Sequence, residues 1–440
     1  MINSPAWKDK RYAVLGLARS GRATVEALLA SGADVLAWDD RAEAREPFVG
    51  RCVLADPLEA DLTGYAGVVV SPGVPLNTHP IKPHADRFGV PVIGDIELFA
   101  QARADLPPHK VVGITGTNGK STTTALVHHI LKTAGVPTTM GGNIGLPILE
   151  QDPLPEGGVY VLELSSYQID LLQSLECDVA ILLNVTPDHL DRYESFADYA
   201  NAKIRLFWLQ NIKGSVGIAP EALMYEHGEI AGVHTHGNAG SDVSIEEILA
   251  EFEAGVPSGF DQNRWPSLKG PHNLQNIGAA IGAARSLGLT FDVIEAALRT
   301  YPGLPHRMER VAEISGVAYI NDSKGTNTAA SAPALAAFGN IHWIVGGLAK
   351  EPGLGECEAE MGHVKAAYTI GKAGPDFAAL IEPIVSVERC ETLDHAVAKA
   401  AQNAVPGDTV LLSPACASFD QYADFEKRGE HFRALVEALK

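Results

Sequence analysis

Cysteine is scarce in this chain of 440 residues: Cys52, Cys177, Cys357, Cys390 and Cys416 are odd in number, scattered, and form neither a Cys-x-x-Cys pair nor a zinc spacing. That excludes a disulfide framework and a structural zinc site, and the five read as reduced core thiols of a cytoplasmic protein. Positive charge is scarce as well. Lysine and arginine number 34 against 54 acidic residues, a formal net charge of −20, so the surface lacks what nucleic acid or an anionic membrane requires. Wherever a phosphate binds, cations must be gathered locally. No run approaches eighteen consecutive apolar residues and no apolar signal segment opens the chain, so neither membrane insertion nor secretion is expected. A Gly-x-Ser-x-Gly elbow is missing too, and with it any sign of a covalent serine nucleophile.

What the chain does have is the stretch Val111-Val112-Gly113-Ile114-Thr115-Gly116-Thr117-Asn118-Gly119-Lys120-Ser121-Thr122. An apolar run enters a glycine-rich turn, and an amphipathic pattern through Leu126, Val127, Ile130 and Leu131 follows. The spacing predicts strand, loop and helix. Backbone N–H groups and the positive helix end converge in such a loop, Lys120 adds a full charge, and the Ser121 hydroxyl is placed for a magnesium ion. The chemistry is that of a nucleoside triphosphate site. One feature departs from the general pattern: six residues before the lysine, where a glycine is expected, stands Ile114, flanked by Gly113 and Gly116.

A length of 440 allows roughly three domains of ~150 residues. The first begins with a short apolar strand (12–17) and the loop Gly16-Leu17-Ala18-Arg19-Ser20-Gly21, then a helical pattern, then a strand (35–38) ending in Asp39-Asp40-Arg41. This is the outline of a dinucleotide-binding unit, but Ala18 stands where close approach to a pyrophosphate needs glycine. NAD, another nucleotide, and an unliganded scaffold all stay open. Residues 68–70 run into Ser71-Pro72-Gly73, and residues 101–109 read as a linker. Past the phosphate loop, Gly141 to Pro147 reads as a glycine-rich loop. A buried strand (159–164) carries Glu163, either a magnesium ligand or half of a buried salt bridge. Another strand (179–183) delivers Asn184 to Arg192, with His189 either structural or part of a site. Lys203 on its own reads as a solvated lysine. Residues 215–265 show no legible chemistry, 269–273 open a helix, and Tyr301-Pro302-Gly303 marks a boundary before strands and helices alternate again.

Gly-Thr-Asn-Gly-Lys-Ser at 116–121, Gly-Asn-Ile-Gly at 142–145, Glu-Leu-Ser-Ser at 163–166, Asn-Val-Thr-x-Asp-His at 184–189, Gly-x-His-Asn at 270–273, Pro-His-Arg at 305–307 and Asp-Ser-Lys at 322–324 together resemble the Mur ligases of peptidoglycan synthesis. Asn321 to Asn327 and Ser413 to Gln421 are similar to the branch that adds D-glutamate, and the Asp-Asn-Pro-Arg motif of the diamino-acid branch is absent. Gly325 stands where alanine is more usual and Tyr167 where phenylalanine is common.

The resemblance implies an α/β chain of three domains: a Rossmann-like domain for the UDP-substrate (1–98), a central P-loop ATPase-like domain (99–303), and a Rossmann-like C-terminal domain for the amino acid (304–440). It implies a ligase that uses ATP and Mg2+, with UDP-N-acetylmuramoyl-L-alanine and D-glutamate as substrates, acting as a cytoplasmic monomer. The implied UDP-substrate residues are Arg19, Ser20, Asp39, Asp40, Arg41, Ser71, Gly73, Asn143, Ser165 and His189. ATP would fall to Gly116, Thr117, Asn118, Gly119, Lys120, Ser121, Thr122, Asn273, Arg307 and Asp322. For D-glutamate the set is Lys324, Thr326, Lys350, Ser418 and Phe425. Metal binding would use Ser121, Glu163, His189 and Lys203 as its carbamate, and catalysis Lys120, Glu163, His189 and Lys203. Relatives that add L-alanine or extend folates would share the ATP chemistry. An NAD-dependent oxidoreductase rests on the first loop alone, and a non-catalytic nucleotide-binding regulator on the phosphate loop alone.

Overall fold

The computed structural model describes residues 1–189, 191–211, 213–224, 240–255, 261–268, 270, 272–350 and 352–440. Leu190, Lys269 and Pro271, which belong to stretches singled out above, lie outside them. Two compact units result, Met1–Tyr301 and Pro302–Lys440.

The first unit holds two parallel sheets. One orders its strands β3-β2-β1-β4-β5, with β1 (Arg11–Leu15), β2 (Asp34–Trp38), β3 (Val53–Leu54), β4 (Tyr65–Val70) and β5 (Val92–Ile93). The other is β11-β10-β9-β6-β8-β7, from β6 (His109–Thr115), β7 (Thr138–Gly142), β8 (Gly158–Glu163), β9 (Val179–Leu182), β10 (Ser215–Ala219) and β11 (Gly240–Ser244). In both sheets the chain winds first to one side of its opening strand and then to the other. The loops after β1 and β6 therefore open at topological switch points, where α/β sheets collect ligands.

Continuous apolar strands are buried on both faces, as parallel sheets require; all six residues of β8 are buried. One core cluster runs from Trp7 and Val14 through Phe99 to Val111, Tyr160 and Leu182, and another, with Leu15, Leu36, Val68 and Ile81, packs in the first sheet. This packing alters two expectations. Gln101, at the start of the expected linker, belongs to the helix Asp95–Ala102, because Leu98, Phe99 and Ala102 of that helix are buried. Gly141 and Gly142, expected in a loop, end β7 opposite Leu162 and Glu163. A Cβ on Gly142 would lie 2.2 Å from the Glu163 carbonyl oxygen, so strand pairing itself requires glycine there.

The second unit has one sheet, β12-β13-β17-β14-β15-β16: β12 (Glu309–Ile314), β13 (Val317–Asn321), β14 (Ile341–Gly346), β15 (Val364–Ile370), β16 (Ser386–Glu391) and β17 (Thr409–Leu412). Only β12 runs antiparallel, against β13. Strands β12 and β16 are sheet edges with half-exposed patterns, which is why the sequence does not announce them. Among the described residues no helix is long and apolar enough to cross a membrane.

Candidate functional site

The loop after β6 leads into the helix Lys120–Thr133, whose N-cap Gly119 takes a left-handed φ of 83°. A side chain there would place its Cβ 2.2 Å from Asn276 Oδ1, so the turn has neither the conformation nor the space for anything but glycine. Gly113 has a different task. Its missing Cβ would sit 2.7 Å from Cys177 Sγ, so this glycine serves packing, while Ile114 lies buried in the strand. The Lys120 Nζ donates to the carbonyls of Gly116 (2.9 Å) and Thr117 (2.8 Å). Ser121 and Thr122 follow in the first helical turn, half-buried.

Lys203 is not solvated. It is 2 % exposed, and its Nζ donates to the same Gly116 carbonyl at 2.9 Å while lying 4.6 Å from the centre of the Tyr199 ring. Burial, reinforced by the charge of Lys120, lowers its pKa to about 7. Two ammonium groups thus converge on one carbonyl. His189 sits in the left-handed region (φ 53°) with its ring about half exposed, 3.5 Å from Asp188 and 5.1 Å from the Tyr167 ring. Partial burial lowers its pKa, and the charges of Lys203 and Lys120 act in the same direction.

Glu163 ends β8, in register with Ile114 just before the phosphate loop. One carboxylate oxygen accepts a 2.9 Å hydrogen bond from Asn143 Nδ2; the other, Oε2, is buried and has no hydrogen-bond partner. A buried carboxylate oxygen without a partner is unfavourable, and a bound cation would offset that. No cluster of three or more His, Cys, Asp or Glu residues suited to a metal occurs among the described residues. The unpartnered Glu163 oxygen is a hard donor of the kind a magnesium ion takes when water and phosphate oxygens fill most of its shell.

Around the loop after β1 the picture is more closed. Asp39 Oδ2 accepts from Leu17 N (2.8 Å) and Arg41 Nη2 (3.2 Å), and its Oδ1 accepts from Arg41 N and Nε (3.0 Å each). The Arg41 guanidinium holds this carboxyl down at about 2. Arg19 reaches away to the Gly145 carbonyl (2.8 Å), Ser71 donates to the Gly16 carbonyl (2.9 Å), and Asp40 accepts from the Trp38 indole. Ser20 is half-buried and Gly73 exposed. Ser165 caps the helix Ser166–Asp170 in a reciprocal pair with Gln168, and the Asn143 backbone N–H is bonded to the Glu163 carbonyl. Asn273 lies buried in the first turn of the helix His272–Ser286 and accepts from Asn276.

In the second unit the loops after β13, β14 and β17 meet. Arg307 is carried on a turn whose neighbours His306 and Met308 both have positive φ (62° and 43°), a strain typical of functional positions. Asp322 is buried, accepts from Ser413 Oγ (2.7 Å) and Met308 N (3.0 Å), and is pushed up to about 7 by burial. The Lys324 Nζ lies 3.9 Å from the centre of the Phe425 ring. Thr326 is half-buried, two residues before the helix Thr328–Ala337. Leu348 and Ala417 bridge two loops through paired backbone hydrogen bonds, so Ser418 and the exposed Lys350 leave from one edge. Ser418 itself is 2 % exposed.

Two residues with no role expected from sequence stand out. Arg428 is 1 % exposed and bonds Ser323 Oγ, Ser323 O and Cys416 O, with Nη1 unpartnered. Asn184 brackets the phosphate loop. It opens the Asn-Val-Thr-x-Asp-His stretch at 184–189, and that motif and its place at a strand end are the signals that could have found it.

Residues 114–284 match the Mur ligase middle domain and residues 306–416 the glutamate ligase domain of Mur ligases. A curated relative from Novosphingobium aromaticivorans, named UDP-N-acetylmuramoylalanine--D-glutamate ligase, is 60 % identical across 100 % of this chain and 97 % of its own. One of the same name from Sphingopyxis alaskensis is 57 % identical, covering 100 % of both. The MurF ligase of Thermotoga maritima, solved in complex with ADP, shares the fold at 16 % identity and a TM-score of 0.57, over 100 % of this chain and 98 % of that one.

Proposed function

The chain belongs to the Mur ligase family, and from that premise we propose that it is the ligase that joins D-glutamate to UDP-N-acetylmuramoyl-L-alanine at the expense of ATP, in the cytoplasm. The observation that carries this reading is a phosphate loop in which Lys120 and Lys203 share the Gly116 carbonyl, beside a strand end where Glu163 Oε2 is buried and unpartnered. The three-domain division 1–98, 99–303 and 304–440 goes with it.

Joining a carboxylate to an amine in water is uphill, so the carboxylate is first activated. Its oxygen attacks the γ-phosphorus of ATP, ADP leaves, and an acyl phosphate results. The amine of D-glutamate then attacks the acyl carbon, loses a proton, and expels inorganic phosphate. Such transfers need alignment and charge neutralisation rather than a protein nucleophile. Lys120, with the loop from Gly116 to Thr122, neutralises the phosphates; Asn273, Arg307 and Asp322 hold the nucleotide. Magnesium, when bound, withdraws charge from the phosphate oxygens. Ser121, Glu163, His189 and a carbamate on Lys203 would hold it. A pKa near 7 leaves much of Lys203 as the neutral amine, the form that attacks carbon dioxide and then loses a proton to give the carbamate. Arg19, Ser20, Asp39, Asp40, Arg41, Ser71, Gly73, Asn143, Ser165 and His189 serve the UDP-substrate. Lys324, Thr326, Lys350, Ser418 and Phe425 serve D-glutamate.

The test is an amino-acid panel with UDP-N-acetylmuramoyl-L-alanine, ATP and magnesium, read as ADP release and product mass. D-glutamate is expected to be the preferred acceptor. Faster addition of L-alanine or a diamino acid would overturn the specific assignment.

A further inference from the structure

We infer that Gln275 is a positioning residue for the nucleotide, acting through Asn184 on the peptide that enters the phosphate loop; the inference rests on the proposed ATP site. Asn184 follows β9 and holds the loop at three points. Its carbonyl accepts from Thr117 N (2.9 Å), its Oδ1 from Asn118 N (2.8 Å), and its Nδ2 donates to Asn118 O (3.2 Å). These fix the peptide units on both sides of Asn118, immediately before Gly119 turns left-handed and the helix Lys120–Thr133 begins. An asparagine amide can flip, which would set Oδ1 against the Asn118 carbonyl and Nδ2 against its N–H. One further contact opposes that flip: Nδ2 also donates to Gln275 Oε1 at 2.8 Å. Gln275 stands in the first turn of the helix His272–Ser286.

Both side chains are half-buried, where a hydrogen bond left unmade costs more than one exposed to water. Gln275, presenting Oε1, thus adds an acceptor to the two Asn118 contacts that hold Asn184 in this orientation. Asn184 in turn holds the loop in the shape that aims the helix N-terminus at a phosphate. A group acting this way changes how well nucleotide binds and leaves the amino-acid site alone.

The experiment titrates ADP with magnesium into the full chain by calorimetry, alongside KM for ATP and for D-glutamate and the melting temperature. Gln275→Leu, which fills the space without an acceptor, is expected to weaken ADP binding about tenfold and to raise KM for ATP but not for D-glutamate. Gln275→Glu keeps an acceptor oxygen and is expected to restore binding to within about twofold. Equal binding by wild type and Gln275→Leu overturns the inference, as does a Gln275→Glu variant as weak as Gln275→Leu. If Gln275→Leu does not fold, Asn184→Asp carries the test, since its oxygen would face the Asn118 carbonyl and Gln275 Oε1; unchanged ADP affinity there overturns the inference too. A wild-type chain that binds no ADP would remove the proposed ATP site and this inference with it.

Discussion

Two glycine loops, each after the opening strand of a parallel sheet, have taken opposite electrostatic forms. At the loop after β1, Asp39 is satisfied by four hydrogen bonds, two of them from the Arg41 side chain, and its pKa is held near 2. At the loop after β6, two lysines crowd one carbonyl, one of them with a pKa near 7, and a buried carboxylate oxygen lacks a partner. The first loop is complete as it stands. The second is a set of unfavourable contacts that a polyphosphate and its magnesium would relieve, and stored cost of that kind marks a binding site better than a glycine pattern does.

The comparison breaks most directly at Lys120. Lys120→Ala is expected to cost ~3–4 kcal/mol in the phosphoryl-transfer step, a few hundredfold in ADP release; near-normal turnover would mean that the second loop is not the phosphate cradle. Lys203→Arg sharpens it, because arginine keeps the charge and forms no carbamate. Roughly a hundredfold loss is expected, read by steady-state assay in bicarbonate buffer. The pH dependence has a definite sign. The folded pKa of Lys203, about 7, lies below its ordinary value of 10.5, so between those limits the unfolded chain holds a proton that the native chain has shed. Its contribution to stability rises with pH through that window, and the cost of burying the ammonium is borne in full below pH ~7. Activity restored by bicarbonate to a CO2-depleted sample should rise with a midpoint near pH 7; a flat profile would count against the carbamate.

Two aspartates extend the contrast at smaller amplitude. Asp39 has a lowered pKa and stabilises above its ordinary 3.8, a contribution lost as pH falls towards 2. Asp322 has a raised pKa, so the native chain retains a proton that the unfolded one loses between 3.8 and about 7, and the cost of ionising it grows through that range. Asp322→Asn should therefore gain ~2–4 °C in melting temperature relative to wild type at pH 8, and little at pH ~3.5, below the window, by calorimetry. A constant difference at both values would mean that Asp322 is not the titrating group.

Much of this was legible in the sequence, for physical reasons. Buried parallel strands such as β6 and β8 are continuous apolar runs, so their ends, and Lys120, Ser121 and Glu163 on them, could be placed from spacing alone. The edge strands β12 and β16 were not legible, since half-exposed residues dilute the pattern. Nor was the burial of Lys203, because one lysine on an amphipathic helix looks the same whether it faces water or a carbonyl 87 residues away in sequence. The closed state of Asp39 was hidden for a related reason: an acidic residue after the second strand reads as part of a dinucleotide-binding outline, and only geometry reveals that Arg41 has folded back onto it.

The most direct test of the contrast titrates two ligands, ADP with magnesium and the UDP-substrate, into two variants, Lys120→Ala and Arg41→Ala. A crossed result is expected: Lys120→Ala loses ADP affinity by more than a hundredfold and keeps the UDP-substrate, while Arg41→Ala weakens the UDP-substrate by less than about tenfold, as for an exposed charge, and keeps ADP. Parallel losses of both ligands in Lys120→Ala would contradict the division of labour between the two loops.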